Sequence, residues 1–184
     1  YRLTCLADDM RAFTSEDQWN NGTIVRTADG GTIVSGASVY QPDVVASRTS
    51  TAVFVAESGS SGSTLQRYNL VDGAIQKVDE SARTGGSRKV VLTDDEVFIF
   101  YNRNKYLTRN LSSIAGSFPE IILESNSDGS VVFGTESVFN GLTFSVLARL
   151  PFETTVMGLS ADESTLYLYD GSNSRIFLYD VSRF

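Results

Sequence analysis

Residues 155–184 read TVMGLSADESTLYLYDGSNSRIFLYDVSRF. The segments VMGLS (156–160), TLYLYDG (165–171) and RIFLYDVS (175–182) are dense in Val, Leu, Ile, Phe and Tyr, residues that fit a pleated, packed surface. Between them stand ADES (161–164) and SNS (172–174). Ser, Asp and Asn there bond to nearby backbone N–H groups and reverse the chain. The stretch therefore predicts three short strands joined by two tight polar turns.

The same plan recurs upstream. IILES (121–125) leads through residues 126–129 into SVVFGTES (130–137), then Asn140-Gly141, then LTFSVLARL (142–150). KVVLT (89–93) leads through Asp94-Asp95 into EVFIFYN (96–102) and YLTRNL (106–111), and DVVAS (43–47) through Arg48-Thr49-Ser50 into TAVFVAES (51–58) and TLQRYNL (64–70). Asp94, Asp128 and Asp162 fall at successive intervals of 34 residues. A fixed period in that range marks a repeat architecture, and strand-turn-strand units without a 3.6-residue period exclude the helical repeats. From Phe54 to Phe98 the interval stretches to 44 residues, which the connection over residues 71–87 absorbs.

Val97 to Phe100 and Leu166 to Tyr169 are apolar on both strand faces. A sheet with one wet face would alternate, so these strands are expected to be covered on both sides. Sheets stacked radially meet that requirement, and their turns are more regular than those of a β-helix. The fold expected is all-β, a β-propeller or partial propeller of about four to five blades. Its blades should lie near residues 44–80, 88–119, 120–154 and 155–184 within a single domain spanning 1–184. The fifth comes from the N-terminal part. There TIVRT (23–27), ADGG (28–31) and TIVSGASVY (32–40) read as a hairpin turning at Asp29, Gly30 and Gly31. Leu3, Cys5 and Ala7 alternate as a strand does, and residues 10–13 could continue as another.

The segment 155–184, with its Ser-x-Asp turn (Ser160, Asp162), its Leu-Tyr strand (Leu166, Tyr167) and its closing Tyr179-Asp180, resembles the repeat of the YVTN and lactonase-like propellers. That resemblance implies a propeller whose relatives include hydrolases using acidic residues, sometimes with a metal in the central channel. It reaches the structural repeat only. The acid, asparagine and histidine constellation of those enzymes cannot be placed on this sequence, and no pyrroloquinoline quinone motif is present.

A net charge of −7 argues against nucleic acid, whose phosphates call for a basic surface. Arg83, Arg88, Lys89, Arg103, Lys105 and Arg109 form a local basic run, but Asp94, Asp95 and Glu96 sit among them, so a solvated mixed face is expected. No apolar run is long enough for a membrane span, so membrane insertion is not expected. With no histidine in the chain, Ser-His-Asp and Cys-His catalysis are excluded, as is zinc bound through imidazole. Cys5 is the single cysteine and is expected to act as a small hydrophobe.

The recurring acids Asp29, Asp94, Asp128 and Asp162 read as structural turn residues, since a catalytic pair would occur once rather than in every repeat. Glu124, Asn126 and Asp128, with Gly129 following, alternate like the start of a calcium loop; position twelve is Thr135 rather than a carboxylate. Glycosylation sequons occur at Asn21 and Asn110. The Gly-Ser tip at 57–64 reads as a connection or a binding loop, and Trp19 stands outside the repeats. Tyr101, Tyr106, Tyr167, Tyr169, Phe177 and Tyr179 sit regularly within strands and are expected to pack blade against blade.

No catalytic motif occurs, so the expected function is a non-catalytic protein-protein interaction or assembly module, extracellular or at the cell surface, without a cofactor. The alternative is a lactonase-like hydrolase with a channel metal. Because the last repeat shows three strands, its fourth is expected either from Leu3 to Ala7 beside Arg175 to Tyr179 or, preferentially, from a protein partner or a further chain segment completing the ring.

Overall fold

The computed structural model describes residues 2–6, 12–15, 23–26, 32–35, 43–56, 62–71, 74–85 and 89–184. Before residue 43, and at 70, 74 and 75, the description is of the backbone alone. Asp29, the sequon at Asn21, Trp19, the Asp72-Gly73 turn and most of the Gly-Ser tip lie outside the described residues.

The described residues are strands and turns, without helix, and the strands form five antiparallel sheets in chain order. The first contains β1 (Arg2–Leu6), β2 (Ala12–Ser15), β3 (Thr23–Arg26) and β4 (Thr32–Ser35). The second contains β5 (Asp43–Ala46), β6 (Ala52–Ala56), β7 (Leu65–Val71) and β8 (Ala74–Glu80), and the third β9 (Val90–Leu92), β10 (Phe98–Tyr101), β11 (Asn104–Leu107) and β12 (Asn110–Ser117). The fourth contains β13 (Ile122–Ser125), β14 (Val131–Gly134), β15 (Ser137–Asn140) and β16 (Val146–Arg149). The fifth has three strands, β17 (Met157–Leu159), β18 (Thr165–Asp170) and β19 (Arg175–Asp180). Each is a meander in which every strand pairs with the next, as expected of blades, and, Asp43 apart, the second to fifth lie within the repeats expected over residues 44–184.

Three strands were not assigned from the sequence: the fourth strands β8 and β12, and β15, which precedes the turn at Asn140-Gly141. The long connection after Val71 contains β8, so it is a blade edge rather than a spacer. Arg2–Leu6 is the first strand of its own sheet and pairs with β2, while the last sheet is ordered β17-β18-β19. The described part of the strand expected beside Arg175 to Tyr179, Leu3 to Leu6, therefore does not lie there. It finds its partner in β2, which follows it.

The chain divides into two compact units, Tyr1–Val90 with Arg109–Ser113, and Val91–Thr108 with Ile114–Phe184. Within the first, Val44, Val53, Phe54, Val55 and Leu65 are buried. Two carboxylates reach backbone donors there: Val90 N–H donates to Asp43 at 3.1 Å and Leu111 N–H to Asp79 at 2.6 Å. Each stabilises a backbone group that would otherwise lack a partner.

The second unit shows how one sheet meets the next. A buried cluster joins Val91 and Phe100 of the third sheet to Ile122, Val132 and Phe139 of the fourth, with Phe118 between them. A second joins Phe133 and Val138 of the fourth to Leu166 and Leu168 of the fifth. Side chains alternate across a strand. Along the second strand of each sheet, one set (Val132; Leu166) therefore faces back and the neighbouring set (Phe100; Phe133) faces forward. This explains why Ile99 and Phe100, or Val132 and Phe133, are apolar in succession: the third and fourth sheets have two dry faces.

The fifth sheet departs from the expected two-sided burial. Leu166 and Leu168 are buried, but Tyr167 (44% exposed) and Tyr169 (40%) lie on the opposite face. In register with them are Leu178 and Ile176, 70% and 68% exposed. No other sheet of the second unit lies against that face. The aromatic residues expected to pack blade on blade accordingly divide: Tyr101 and Tyr106 are buried, whereas Tyr167, Tyr169 and Phe177 are exposed.

The turn between the first and second strands repeats bond for bond. The N–H of Thr93, Asn126 and Ser160 donates to the carbonyl of Phe98, Val131 and Thr165, five residues on. Their side-chain oxygens accept the N–H of those same residues, at 3.1, 2.9 and 2.9 Å. Two residues further, a carboxylate caps the turn: Val97 N–H donates to Asp95, Ser130 N–H to Asp128 and Ser164 N–H to Asp162. The next residue takes positive φ at Glu96, Gly129 and Glu163. The turn aspartate of the third sheet is thus Asp95, not Asp94, a shift of one position that the adjacent acids conceal in the sequence.

Replacing Asp95 by Ala removes this cap and is expected to cost about 1 kcal/mol. Asp94→Ala should leave the cap intact, and a comparison of the two urea midpoints checks the assignment. The serines hold the turn carboxylates below the ordinary aspartate range. Bonds from the Ser130 hydroxyl and backbone do so for Asp128, and the Ser160 hydroxyl followed by Ser164 does so for Asp162. A lowered folded-state value means that the unfolded chain binds more protons in acid. This stabilisation is present above the ordinary aspartate range and is lost as pH falls through the lowered values. The melting temperature should therefore decline from about pH 5 downward, less steeply in Asp128→Asn.

Candidate functional site

The second unit offers a polar pocket of about 190 Å³. It forms where the first strands of three consecutive sheets end: Leu92 closes β9, Glu124 and Ser125 close β13, and Leu159 closes β17. The turns that follow supply Asp94, Asn126, Ser127, Ser160, Ala161 and Glu163. The repeat that builds the fold thereby brings three carboxylates, Asp94, Glu124 and Glu163, from three sheets to one depression. Among the described residues, no lysine or arginine lines it. A second pocket of about 270 Å³ shares Asn126 and Glu163 and continues past Asp162 to Phe184.

Glu163 is held by Ser127, whose N–H donates to it at 2.6 Å, and Glu124 accepts the N–H of Ser125 at 3.1 Å. Asn126 accepts Val131 N–H at 2.9 Å and donates to the Ser130 hydroxyl at 3.0 Å. Ser125 is nine-tenths buried, and among the described residues its hydroxyl has no hydrogen-bond partner, although it lines the pocket.

The expected site residues come together only in part. Glu124 and Asn126 line the pocket, while Asp128 faces out and caps its turn. A calcium ion takes six to eight oxygens, whereas Asn126 and Asp128 already spend oxygens on turn N–H groups. Among the described residues, no three carboxylate, cysteine or histidine side chains are grouped closely enough to hold a metal. The donor set does not fit a divalent ion, and no chemistry is routed through one. Asp94 lines the pocket, and Asp162 lines the neighbouring one. Asn110 is exposed and accepts the Ser112 hydroxyl at 2.7 Å.

The reading missed Glu163, Ser125 and Lys105. Glu163 resembles any turn acid until the positive φ of 58° at that position is known. Lys105, expected in a solvated mixed face, is buried. Its ammonium donates to the Gly141 carbonyl at 3.0 Å and lies 3.5 Å from the Phe98 ring centroid. Burial lowers its pKa, opposed by the charges of Asp128 and Asp95. The alternation of β11 turns Lys105 toward the aromatic interior, a direction that composition cannot reveal.

Similarity to solved structures shows the fold. The chain is similar to a functionally unknown protein from Desulfotomaculum acetoxidans DSM 771, at 17% identity and TM-score 0.66, over 97% of this chain and 68% of that one. Kuenenia stuttgartiensis hydrazine synthase aligns at 12% identity and TM-score 0.69, over 96% of this chain and 70% of that one. A periplasmic gluconolactonase of Pseudomonas aeruginosa aligns at 13% identity and TM-score 0.61, over 92% of this chain and 66% of that one. No protein-family model and no curated protein matches the sequence. The chain is an all-β protein of the β-propeller class, with a lactonase-like resemblance that now extends from one repeat to the fold. It spans about two thirds of the length of these structures.

Proposed function

We propose that this chain is a non-catalytic interaction and assembly module whose contact surface is the open face of the fifth sheet. One observation carries the reading. Tyr167 occupies the position of Phe100 and Phe133, which are 0% and 1% exposed because a following sheet covers them, yet Tyr167 is 44% exposed. The occupant that fits is therefore another sheet of the same kind, presenting an aliphatic residue where Val132 and Leu166 stand. A second copy of this chain carries sheets of that kind and is the occupant proposed. Its setting is outside the cytoplasm, a reading supported by the exposed sequon asparagine Asn110.

Light scattering over a hundredfold concentration range should show self-association that Leu178→Lys abolishes. Leu178 is 70% exposed and borders Tyr167, so the charge should leave the melting temperature within about 1 °C. A protein that stays monomeric throughout, or a Leu178→Lys variant that associates equally well, would contradict the proposal.

The second reading, a lactonase-like hydrolase, is favoured by the carboxylate-lined pocket at the ends of β9, β13 and β17. Its test is hydrolysis of a sugar lactone with and without added calcium or manganese. Turnover lost in Glu124→Gln and Glu163→Gln would support this reading over the first.

A further inference from the structure

We propose that the pocket at the ends of β9, β13 and β17 binds a primary ammonium group carried on a short alkyl chain. This does not rest on the assembly reading, which concerns a different face. Three carboxylates from three sheets, Asp94, Glu124 and Glu163, line the depression without a lysine or arginine among its described lining residues. Charges gathered in a recess with low-dielectric walls focus a negative potential there.

The independent sign of a ligand is Ser125. The hydroxyl of a serine nine-tenths buried usually finds a partner within the protein. Among the described residues this one has none and opens onto the pocket instead. It is placed to accept a hydrogen bond from a donor entering the recess. An ammonium group offers three such donors and a positive charge, whereas a metal ion would need an oxygen cage that the described residues do not form. Leu92 and Leu159 in the same lining give an alkyl stem apolar surface. The amine can come from a free small molecule or from a lysine of a partner protein, since both present this chemistry.

The experiment is a calorimetric titration of the whole chain with n-butylammonium, with n-butanol as its neutral counterpart, and with N-acetyl-lysine amide. Saturable binding of n-butylammonium without binding of n-butanol is expected. Glu163→Gln should weaken it about tenfold and Ser125→Ala about threefold, magnitudes in keeping with loss of a charge-assisted and a single hydrogen bond. Circular dichroism confirms that both variants are folded, and Asp180→Asn, outside the pocket lining, should bind as the parent does. Binding of the lysine amide as well would indicate a protein-borne lysine; binding of n-butylammonium alone would indicate a small amine. Either result supports the site. Equal binding of n-butanol, no saturable binding of either amine, or binding unchanged in both Glu163→Gln and Ser125→Ala would overturn the proposal, as would saturable calcium binding without amine binding.

Discussion

Gly141→Ala is expected to destabilise the second unit by about 3 kcal/mol or more, lowering its melting temperature by about 10 °C. A Cβ at this position would lie 1.9 Å from the Gly129 carbonyl oxygen and 3.0 Å from a Val132 methyl. The obstacle is backbone, so no side chain can rotate away. Gly141 is also tethered on both sides: its N–H donates to the Ser130 carbonyl at 2.7 Å and its carbonyl accepts the Lys105 ammonium at 3.0 Å. Moving the turn to make room would break both bonds. Gly158 provides the contrast, because a Cβ there meets nothing within 4 Å. Gly158→Ala should change stability by less than about 0.5 kcal/mol. Parallel thermal melts of the two variants measure the difference, and equal shifts would contradict the tight approach of the two turns.

Phe118→Ala should cost about 3–5 kcal/mol. Phe118 belongs to no strand, yet it is 4% exposed and stands between the third and fourth sheets. Its ring centroid lies 6.0 Å from Phe100, 5.4 Å from Phe139 and 5.0 Å from Phe144. Truncation leaves a cavity bounded by strands of two sheets, which cannot collapse without separating Phe100 from Val132 and Phe139. Phe177→Ala removes a ring of the same size from a 40% exposed position, so a much smaller loss is expected. Chemical denaturation distinguishes the two. Similar costs would mean that the cluster does not hold these sheets together.

These two positions show what was legible in the sequence. The repeat was, because each first turn uses a short side-chain acceptor, an aspartate and a positive-φ residue in fixed order, and each second strand carries forward-facing and backward-facing apolar residues in succession. Most of the strands over residues 43–180 followed from that pattern, β15 excepted. The fourth strands β8 and β12 did not, since AIQKVDE and NLSSIAGS, rich in polar and small residues, are edge strands that pair with one neighbour only. Asp94 was mistaken for Asp95 because a period of 34 residues suits Asp94, whereas the structure places the caps 33 and 34 residues apart, at Asp95, Asp128 and Asp162.

The pocket was legible only in fragments. Glu124 and Asn126 were singled out for calcium, but what gathers the lining is convergence of three strand ends, and residues some 30 positions apart carry no mutual signal in one sequence. The exposed face of the fifth sheet was hidden for the opposite reason. Tyr167 read as buried because its counterparts Phe100 and Phe133 are. A repeat pattern specifies the face that a residue occupies, but not whether another sheet covers it.

The central claim, that the fifth sheet presents a blade face awaiting another sheet, is tested most directly by a crystal structure of the chain grown from its associated state. A β-sheet should lie against Tyr167, Tyr169, Ile176 and Leu178, with an aliphatic side chain packed on Tyr167 as Leu166 packs in the Phe133 cluster. Solvent over that face, with the molecules joined elsewhere, would contradict the account.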